Sequence, residues 1–168
     1  MSGTPENPTV LDTTVLSNFA QVSNVELLCD LPRVATVDAV RTELEDGVET
    51  HPYLDDAVDV LEDGIPVLTP SSSAETVETE LLKTLDPGEA QVLAVAETAD
   101  GTAVTDDGDA RTTAKRRGVA VTGSIGLLVR FVENDRLDHE TADTYLKRWI
   151  DEAGFRAPSR DIEVFLSE

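Results

Sequence analysis

Short apolar runs typical of β-strands alternate with amphipathic helical stretches along this chain, and no other feature constrains its fold as strongly. Between these runs, most apolar residues recur at helical spacing. Alternating short strands and helices are typical of a parallel sheet that helices cover on both faces. The pattern predicts an α/β protein, a three-layer α/β/α sandwich with a central, mostly parallel sheet. The predicted strands lie at 9–11, 34–36, 66–69, 102–105 and 119–121.

The length of the chain favours one domain. Its 168 residues are enough to bury a substantial core and too few for two domains of ordinary size. The alternating pattern forms a core over about 9–133, and further helices are predicted at about 140–153 and 159–165. We therefore expect a single domain over 1–168, with C-terminal helices over about 138–168.

The chain is strongly acidic, with 34 Asp and Glu against 13 Lys and Arg and a net charge of −21. Such a surface argues against a generic basic grip on phosphate backbones at ordinary salt. High salt screens the self-repulsion of these charges, so we interpret the acidity as the signature of a halophilic habitat. The net charge therefore indicates where the protein works and does not indicate its chemistry.

Several classes of protein are excluded by what the sequence lacks. Cys29 is the only cysteine, which excludes a disulfide framework and a zinc site of the CxxC type. No apolar run approaches the ~20 residues of a membrane span. The N-terminus lacks the basic stretch followed by an apolar stretch that is typical of a signal peptide. We expect a soluble, cytoplasmic protein without a membrane partner.

Acidic residues follow two of the predicted strands. Asp12 comes directly after the first strand, and Asp106 and Asp107 come after the strand at 102–105. Ligands of open parallel sheets bind beyond the carboxyl ends of the strands, where the strand order switches direction. The two strand ends are therefore predicted to bring carboxylates to one edge of the sheet.

Two glutamates are predicted to face inward from helices. Glu89 shares a helical stripe with Val92 and Leu93, and Glu43 borders the apolar face that contains Val40. Inward-facing acids are costly without compensation, because two carboxylates ~4 Å apart repel by ~4 kcal/mol at a dielectric near 20. Mg²⁺ or Mn²⁺ would compensate such charges. A cation held there could activate water and neutralise charge on a phosphodiester.

Each acid taken alone also has a structural explanation. Asp106 and Asp109 could each cap the helix that follows them, and Glu89 could be a helix-start acid favoured by the helix dipole. The joint pattern favours a site over these explanations. Its members are Asp12, Glu43, Glu89 and Asp107.

The same residues lie in four motifs that resemble, in order and spacing, those of PIN-domain proteins over about 9–133. The third motif contains GEA, as in one prokaryotic subgroup, and a strand-to-helix turn similar to that of the family follows the fourth. The motifs are VLDTTVL (10–16), VRTEL (40–44), DPGEAQ (86–91) and AVTDDGDAR (103–111), and the turn is VAVTGSIG (119–126).

The resemblance implies a Mg²⁺- or Mn²⁺-dependent endoribonuclease that hydrolyses single-stranded RNA, of the VapC type that acts as the toxin of a toxin–antitoxin pair. An inactive PIN-fold binding or scaffold module and an RNA-processing nuclease outside such a pair are the alternatives. The motif alignment favours Asp107 over Asp106 at the fourth position. The implied catalytic acids are Asp12, Glu43, Glu89 and Asp107, and the implied metal ligands are Asp12, Glu89 and Asp107 with Asp106 or Asp109.

Candidate substrate-binding residues flank the fourth motif. Arg111, Lys115 and Arg116 form a basic patch that could steer an RNA backbone, although they could equally pair with acids nearby. Thr105 and Ser124 could add hydrogen bonds at the site, while also suiting a strand and a helix start. The resemblance further implies a cognate antitoxin and a homodimer. Exposed apolar helix faces around 14–28 and 53–61 could form either interface.

Overall fold

A computed structural model describes residues 5–166 of the chain. The chain divides into two compact units, Met1–Thr122 and Gly123–Glu168. The expectation of one domain over 1–168 stays a prediction, and its residues 1–4 and 167–168 lie outside the described residues.

The first unit is built on a parallel sheet. Within residues 5–166 the sheet has five strands in the order β3-β2-β1-β4-β5. Every pair of neighbouring strands is parallel. β1 lies between β2 and β4, so the strand order switches direction between β1 and β4. The strands are β1 (Thr9–Leu11), β2 (Val34–Val37), β3 (Val67–Leu68), β4 (Thr102–Val104) and β5 (Ala120–Thr122).

Helices flank this sheet, which confirms the predicted three-layer α/β/α sandwich. The helix that begins at Pro87 is apolar around most of its circumference because it packs on β1 and β4 and also contacts neighbouring helices. In the part of the chain that the structure describes, no helix is long and apolar enough to cross a membrane. The helices of this unit are α1 (Thr13–Gln21), α2 (Asp38–Gly47), α3 (Leu54–Glu62), α4 (Ser72–Leu81), α5 (Pro87–Thr98), α6 (Gly108–Arg116) and a 3₁₀ helix (Val25–Asp30).

The apolar faces around 14–28 and 53–61 are buried, so the expectation that they form an exposed groove is wrong. Leu16 and Phe19 of α1 and Ala57 of α3 have no exposed surface, and the two helices pack against each other. The faces therefore belong to the core of the first unit. Among residues 5–166, the exposed large apolar side chains are Leu82 and Val164.

The second unit contains α7 (Ser124–Glu133), α8 (His139–Glu152) and a 3₁₀ helix (Ile162–Phe165). Trp149 of α8 is fully buried, and its ring centroid lies 5.8 Å from that of Phe155. The α-helix predicted at 159–165 is wrong, because only the short 3₁₀ turn forms there. Asp161 has an extended backbone, with φ −104° and ψ 123°, and its N–H donates to the hydroxyl of Ser159 at 3.1 Å, so a local side-chain hydrogen bond replaces a helical one.

Arg117, at the end of α6, forms salt bridges with two other helices, and its removal should destabilise the first unit. Its Nε and Nη2 donate to Glu97 of α5 at 2.5 and 3.2 Å, and its Nη1 donates to Glu80 of α4 at 2.7 Å. Because the guanidinium is partly exposed, we expect Arg117→Met to cost about 1–2 kcal/mol. This corresponds to a melting temperature lower by roughly 2–6 °C in thermal unfolding followed by circular dichroism.

The matched control is Arg148→Met, which removes the same charge from an exposed i,i+4 pair with Glu152 on α8. We expect this change to move the melting temperature by about 1 °C. Equal losses in the two variants would contradict a special role for Arg117.

Candidate active site

The candidate site lies at the carboxyl ends of β1 and β4, the neighbouring strands between which the strand order switches. Leu11 of β1 pairs with Val104 of β4, so Asp12 and Thr105 leave the two strands side by side. The backbone N–H of Asp12 still donates to the carbonyl of Val104 at 2.9 Å. The ends of two buried strands therefore fix the position of Asp12.

Asp12 is a buried carboxylate held by neutral hydroxyl groups. It is 2% exposed, and its Oδ2 accepts hydrogen bonds from Thr105 Oγ1 at 2.7 Å and from Thr14 Oγ1 at 3.3 Å. Burial raises the pKa of Asp12 from 3.8 to about 6, with a further increase from the charges of Glu43 and Asp86. The hydrogen bonds to the carboxylate lower this pKa without offsetting the burial. The negative charge of Asp12 is thus oriented and poorly solvated.

Glu43 is held between the start of α1 and the start of α5. Its Oε1 accepts a hydrogen bond from the hydroxyl of Thr13. A Cβ atom placed on Gly88 would lie 2.5 Å from Oε1 and 2.8 Å from Oε2 of Glu43. The Glu43 carboxylate therefore rests against the backbone of Gly88, in space that any other residue there would occupy.

Asp86 and Glu89 form a capping box at the start of α5. Asp86 Oδ1 accepts from the backbone N–H of Glu89 at 3.0 Å, and Glu89 Oε1 accepts from the backbone N–H of Asp86 at 3.4 Å. Partial burial raises the pKa of Glu89, and the charges of Asp86, Asp107 and Asp12 raise it further. Glu89 is therefore both a helix-start acid and a member of the acidic cluster, which combines the two explanations that its sequence position allowed.

The two adjacent aspartates after β4 have different partners. Asp107 Oδ2 caps α6 by accepting from the N–H of Ala110 at 2.9 Å. Asp106 Oδ2 accepts from Nδ2 of Asn18 in α1 at 3.0 Å. Asp107 is the one whose charge acts on Glu89. This difference favours Asp107 as the acid that belongs with the other carboxylates.

Several groups that hold these acids were not predicted from the sequence, namely the side chains of Thr13, Thr14, Asn18 and Asp86. Thr14 Oγ1 donates to Asp12 and accepts from the backbone N–H of Asp106 at 3.0 Å. One signal was visible, since Asn18 follows Thr14 by one helical turn as a polar residue on a largely buried face. Asp86 was visible in the sequence only as the first residue of the third motif, DPGEAQ (86–91).

The residues predicted to bind substrate differ in their burial and in their hydrogen-bond partners. Thr105 is 1% exposed, and its hydroxyl donates to Asp12 and accepts from the N–H of Asp107 at 3.1 Å. A hydroxyl engaged in this way positions the acids and is not available to substrate. Arg111 Nη1 donates to the carbonyl of Thr105 at 3.1 Å, which ties it to the end of β4. Ser124 opens α7 in the second unit, and its role at the site stays a prediction.

Lys115 and Arg116 are exposed in the last turn of α6, and Asp109 is exposed in its first turn. The basic patch is therefore smaller than the sequence suggested, because Arg111 has a partner within the protein. The predicted accessory metal ligation by Asp106 or Asp109 stays a prediction.

The oxygen ligands of these carboxylates fit a hard divalent cation, but the side chains are too far apart to coordinate one as they stand. Among residues 5–166, no three Asp, Glu, His or Cys side chains lie close enough to form a ready metal site. The cluster offers only carboxylate oxygens, the ligands that Mg²⁺ and Mn²⁺ prefer. Because the acids raise one another's pKa, a cation among them would relieve their repulsion. Binding would require these side chains to draw together.

Gly88→Ala should reduce the activity of this site with little effect on the fold. The added methyl group would displace the Glu43 carboxylate, which can turn away because it is the end of a flexible side chain. We expect a 10- to 100-fold loss of phosphodiester cleavage, and a melting temperature within about 3 °C of wild type because alanine favours helix. The control is Ala94→Gly in the same helix, which should lower the melting temperature through helix propensity and cavity formation. Unchanged cleavage by Gly88→Ala would contradict a role for the Glu43 position.

Comparisons with known proteins identify the family and the fold of the chain. The family model described as PIN domain matches residues 8–168. Among solved structures, the chain is similar to a chain in the structure of VapBC-1 from nontypeable Haemophilus influenzae, with a TM-score of 0.52 and 13% sequence identity. The similarity covers 69% of this chain and 97% of that chain, and at this identity it shows the fold. No curated protein matches the sequence.

Proposed function

Because this chain belongs to the PIN-domain family, we propose that it is a metal-dependent endoribonuclease that hydrolyses phosphodiester bonds of single-stranded RNA. Family membership supports a nuclease in general. The observation that carries the metal-dependent mechanism is the buried carboxylate of Asp12, which lies at the strand-order switch among other acids and has a raised pKa. Clustered, partly desolvated carboxylates are suited to bind a cation. The bound cation would in turn attract a phosphate group.

We assign the metal to Asp12, Glu43, Glu89 and Asp107, with Mg²⁺ or Mn²⁺ as the ion. When bound, the cation would neutralise charge on the phosphodiester and lower the pKa of a water molecule. The chain itself supplies fixed carboxylates. Thr105 orients Asp12, Thr13 orients Glu43, and the first turn of α6 orients Asp107. These hydrogen bonds limit how far the carboxylates have to move when a cation draws them together.

The remaining basic patch offers a path for RNA. Lys115 and Arg116 are exposed at the end of α6, the helix whose start Asp107 caps. In a chain of net charge −21, these cations supply a local attraction for a phosphate backbone. The general repulsion between acidic protein and RNA weakens as salt increases. We therefore expect activity at molar KCl, where screening is strongest.

We further propose that the protein acts in the cytoplasm as the toxin of a toxin–antitoxin pair. The resemblance to VapC-type proteins and the structural similarity to a chain of VapBC-1 support this role. The expected antitoxin and homodimer need a surface other than the apolar faces of α1 and α3, since both faces are buried. Growth arrest on expression, relieved by the product of a short adjacent gene, is the expected behaviour of such a toxin.

One observation favours an inactive binding module as the second candidate. Among the described residues, no three potential ligands already lie together as a metal site. A module that uses its fold only to contact a partner would have no need of such a site. Metal binding by the folded protein separates the two candidates.

The test combines calorimetric Mn²⁺ titration with cleavage of single-stranded RNA in molar KCl. We expect wild type to bind Mn²⁺ and cleave, and Glu43→Gln to lose at least tenfold in cleavage. The matched control is Glu45→Gln, which removes the same charge from an exposed position on α2 and should behave as wild type. Folded wild type that neither binds Mn²⁺ nor cleaves RNA would overturn the nuclease and support the binding module.

A further inference from the structure

A pocket is formed largely by one face of α6, the helix that Asp107 caps. Its volume is about 290 Å³, near the lower end of the range of ~300–1,000 Å³ for small-molecule sites. Four of its residues recur on α6 at spacings that place them in one stripe along the helix. Two more come from the segment between α4 and α5. The lining residues are Asp109, Thr112, Thr113 and Arg116 of α6, with Thr84 and Leu85.

The pocket adjoins the candidate active site along the chain. Leu85 directly precedes Asp86, the residue that caps α5 and raises the pKa of Glu89. Asp109 follows Asp107 by two residues in the first turn of α6. A polymer held at the acidic cluster could therefore place a neighbouring unit in this pocket.

The pocket contains a donor group and an acceptor group of opposite charge. Arg116 and Asp109 lie on the same face of α6, their backbone positions about 10 Å apart along the axis at 1.5 Å per residue, and both residues line the pocket. The hydroxyls of Thr112 and Thr113 lie between them along that face, and Leu85 adds a buried apolar surface. The Asp109 carboxylate would repel a phosphate. Asp109 and Arg116 together fit an uncharged group that has hydrogen-bond donors on one edge and acceptors on another.

We propose that this pocket binds a guanine base of the RNA, close to the phosphodiester that is cleaved. This inference rests on the proposed nuclease function. Guanine has adjacent N1–H and N2–H₂ donors that match the two oxygens of a carboxylate such as Asp109. Its O6 and N7 acceptors match the paired donors of an arginine such as Arg116. Adenine, cytosine and uracil do not present two adjacent donors, so the pocket selects guanine over them.

The test is cleavage of single-stranded RNA of random sequence with Mn²⁺, followed by sequencing of the products. We expect wild type to enrich guanine over adenine on the order of tenfold at one fixed position near the cut. Asp109→Asn and Arg116→Gln should reduce this preference to about twofold, measured as the ratio of guanine to adenine at that position among the products that form. The matched controls are Asp56→Asn on α3 and Arg41→Gln on α2, which change the same charges at exposed positions and should keep the preference.

A binding measurement supplies an independent readout. Asp12→Asn, which should not cleave, is mixed with labelled RNA hexamers that carry guanine, inosine or adenine at the selected position. Inosine lacks the N2 amino group, so we expect it to bind at least threefold more weakly than guanine. Adding Asp109→Asn should make guanine and inosine bind alike.

The outcomes separate this inference from the proposed function. Cleavage by wild type without base preference, or with a preference that both pocket variants retain, overturns the guanine site and leaves the nuclease intact. A loss of Mn²⁺ affinity in Asp109→Asn would assign that carboxylate to metal and also overturn the guanine site. No cleavage of any RNA by wild type would refute both.

Discussion

We expect Asp12→Asn to abolish RNA cleavage and, in metal-free solution at neutral pH, to raise the melting temperature of the protein. The loss of activity, at least 10³-fold, follows from removal of the central carboxylate of the proposed metal site. The gain in stability follows from burial, since wild type holds a charged group that is 2% exposed. Asn keeps the shape and can still accept the hydrogen bond from Thr105, but it carries no charge.

The pH dependence of this gain has a definite sign. The pKa of Asp12 is raised from 3.8 to about 6 in the folded protein. Between these values the unfolded chain loses the proton first, so ionisation favours unfolding and stability falls as pH rises. The cost is complete above about pH 6 and amounts to roughly 2–3 kcal/mol. Asp12→Asn should therefore melt roughly 5 °C or more above wild type at pH 7.5, with the difference shrinking toward pH 4.5.

Thermal unfolding in EDTA at the two pH values, with cleavage assays in Mn²⁺, checks both halves of the prediction. Asp56→Asn is the control, because it removes the same charge from an exposed position on α3. A variant that melts below wild type at pH 7.5 in EDTA would contradict an uncompensated buried charge. Retained cleavage would remove Asp12 from the mechanism.

Mn²⁺ affinity is the second quantity for which we expect a large effect. Bound metal needs deprotonated carboxylates, while neighbouring charge and burial raise the pKa of Asp12 and of Glu89. Each proton released on binding changes the affinity about tenfold per pH unit below the pKa of its group. The affinity should therefore rise about 10-fold between pH 5 and pH 7.5 through Asp12 alone, and further as Glu89 loses its proton. Removal of the metal with EDTA should abolish cleavage across this range.

Calorimetric titration at several pH values measures this slope. Glu89→Gln should bind Mn²⁺ weakly and with a shallower pH dependence, because it has one proton fewer to release. Thermal unfolding gives a second readout, since saturation at 100 times the dissociation constant stabilises the folded protein by about 2.7 kcal/mol. An affinity that does not change from pH 5 to pH 7.5 would show that these carboxylates are not the ligands.

The sheet and the main acids were predictable because both depend on local pattern. An apolar run that ends in Asp12 indicates a buried strand and an acid at its carboxyl end, whatever else the chain does. The burial of α1 and α3 was not predictable in this way. Helical periodicity shows that a helix has an apolar face, but it does not show what covers that face. The left-handed backbone of Ser23, with a φ of 59°, also ends α1 before the 3₁₀ helix, which periodicity over 14–28 could not reveal.

The details of the site depend on partners far away in the sequence. Thr105 and Asp12 are 93 residues apart, and Thr13 and Glu43 are 30 apart. No local pattern indicates that these hydroxyls orient carboxylates. The choice between Asp106 and Asp107 likewise depends on α1, which supplies Asn18 to the first of the two. The sequence predicts which acids belong to the site, and the tertiary structure determines how each of them is held.

The capping box of α5 has a consequence for how the protein would sense its ligand. Asp86 and Glu89 satisfy backbone N–H groups at the start of the helix, and Glu89 is also a proposed ligand. A carboxylate drawn toward a cation can no longer serve the backbone equally well, so occupancy of the site and local order of the helix start are linked. Amide hydrogen exchange in that first turn would report ligand binding directly. Exchange at the start of α5 would therefore show whether the proposed site holds its metal.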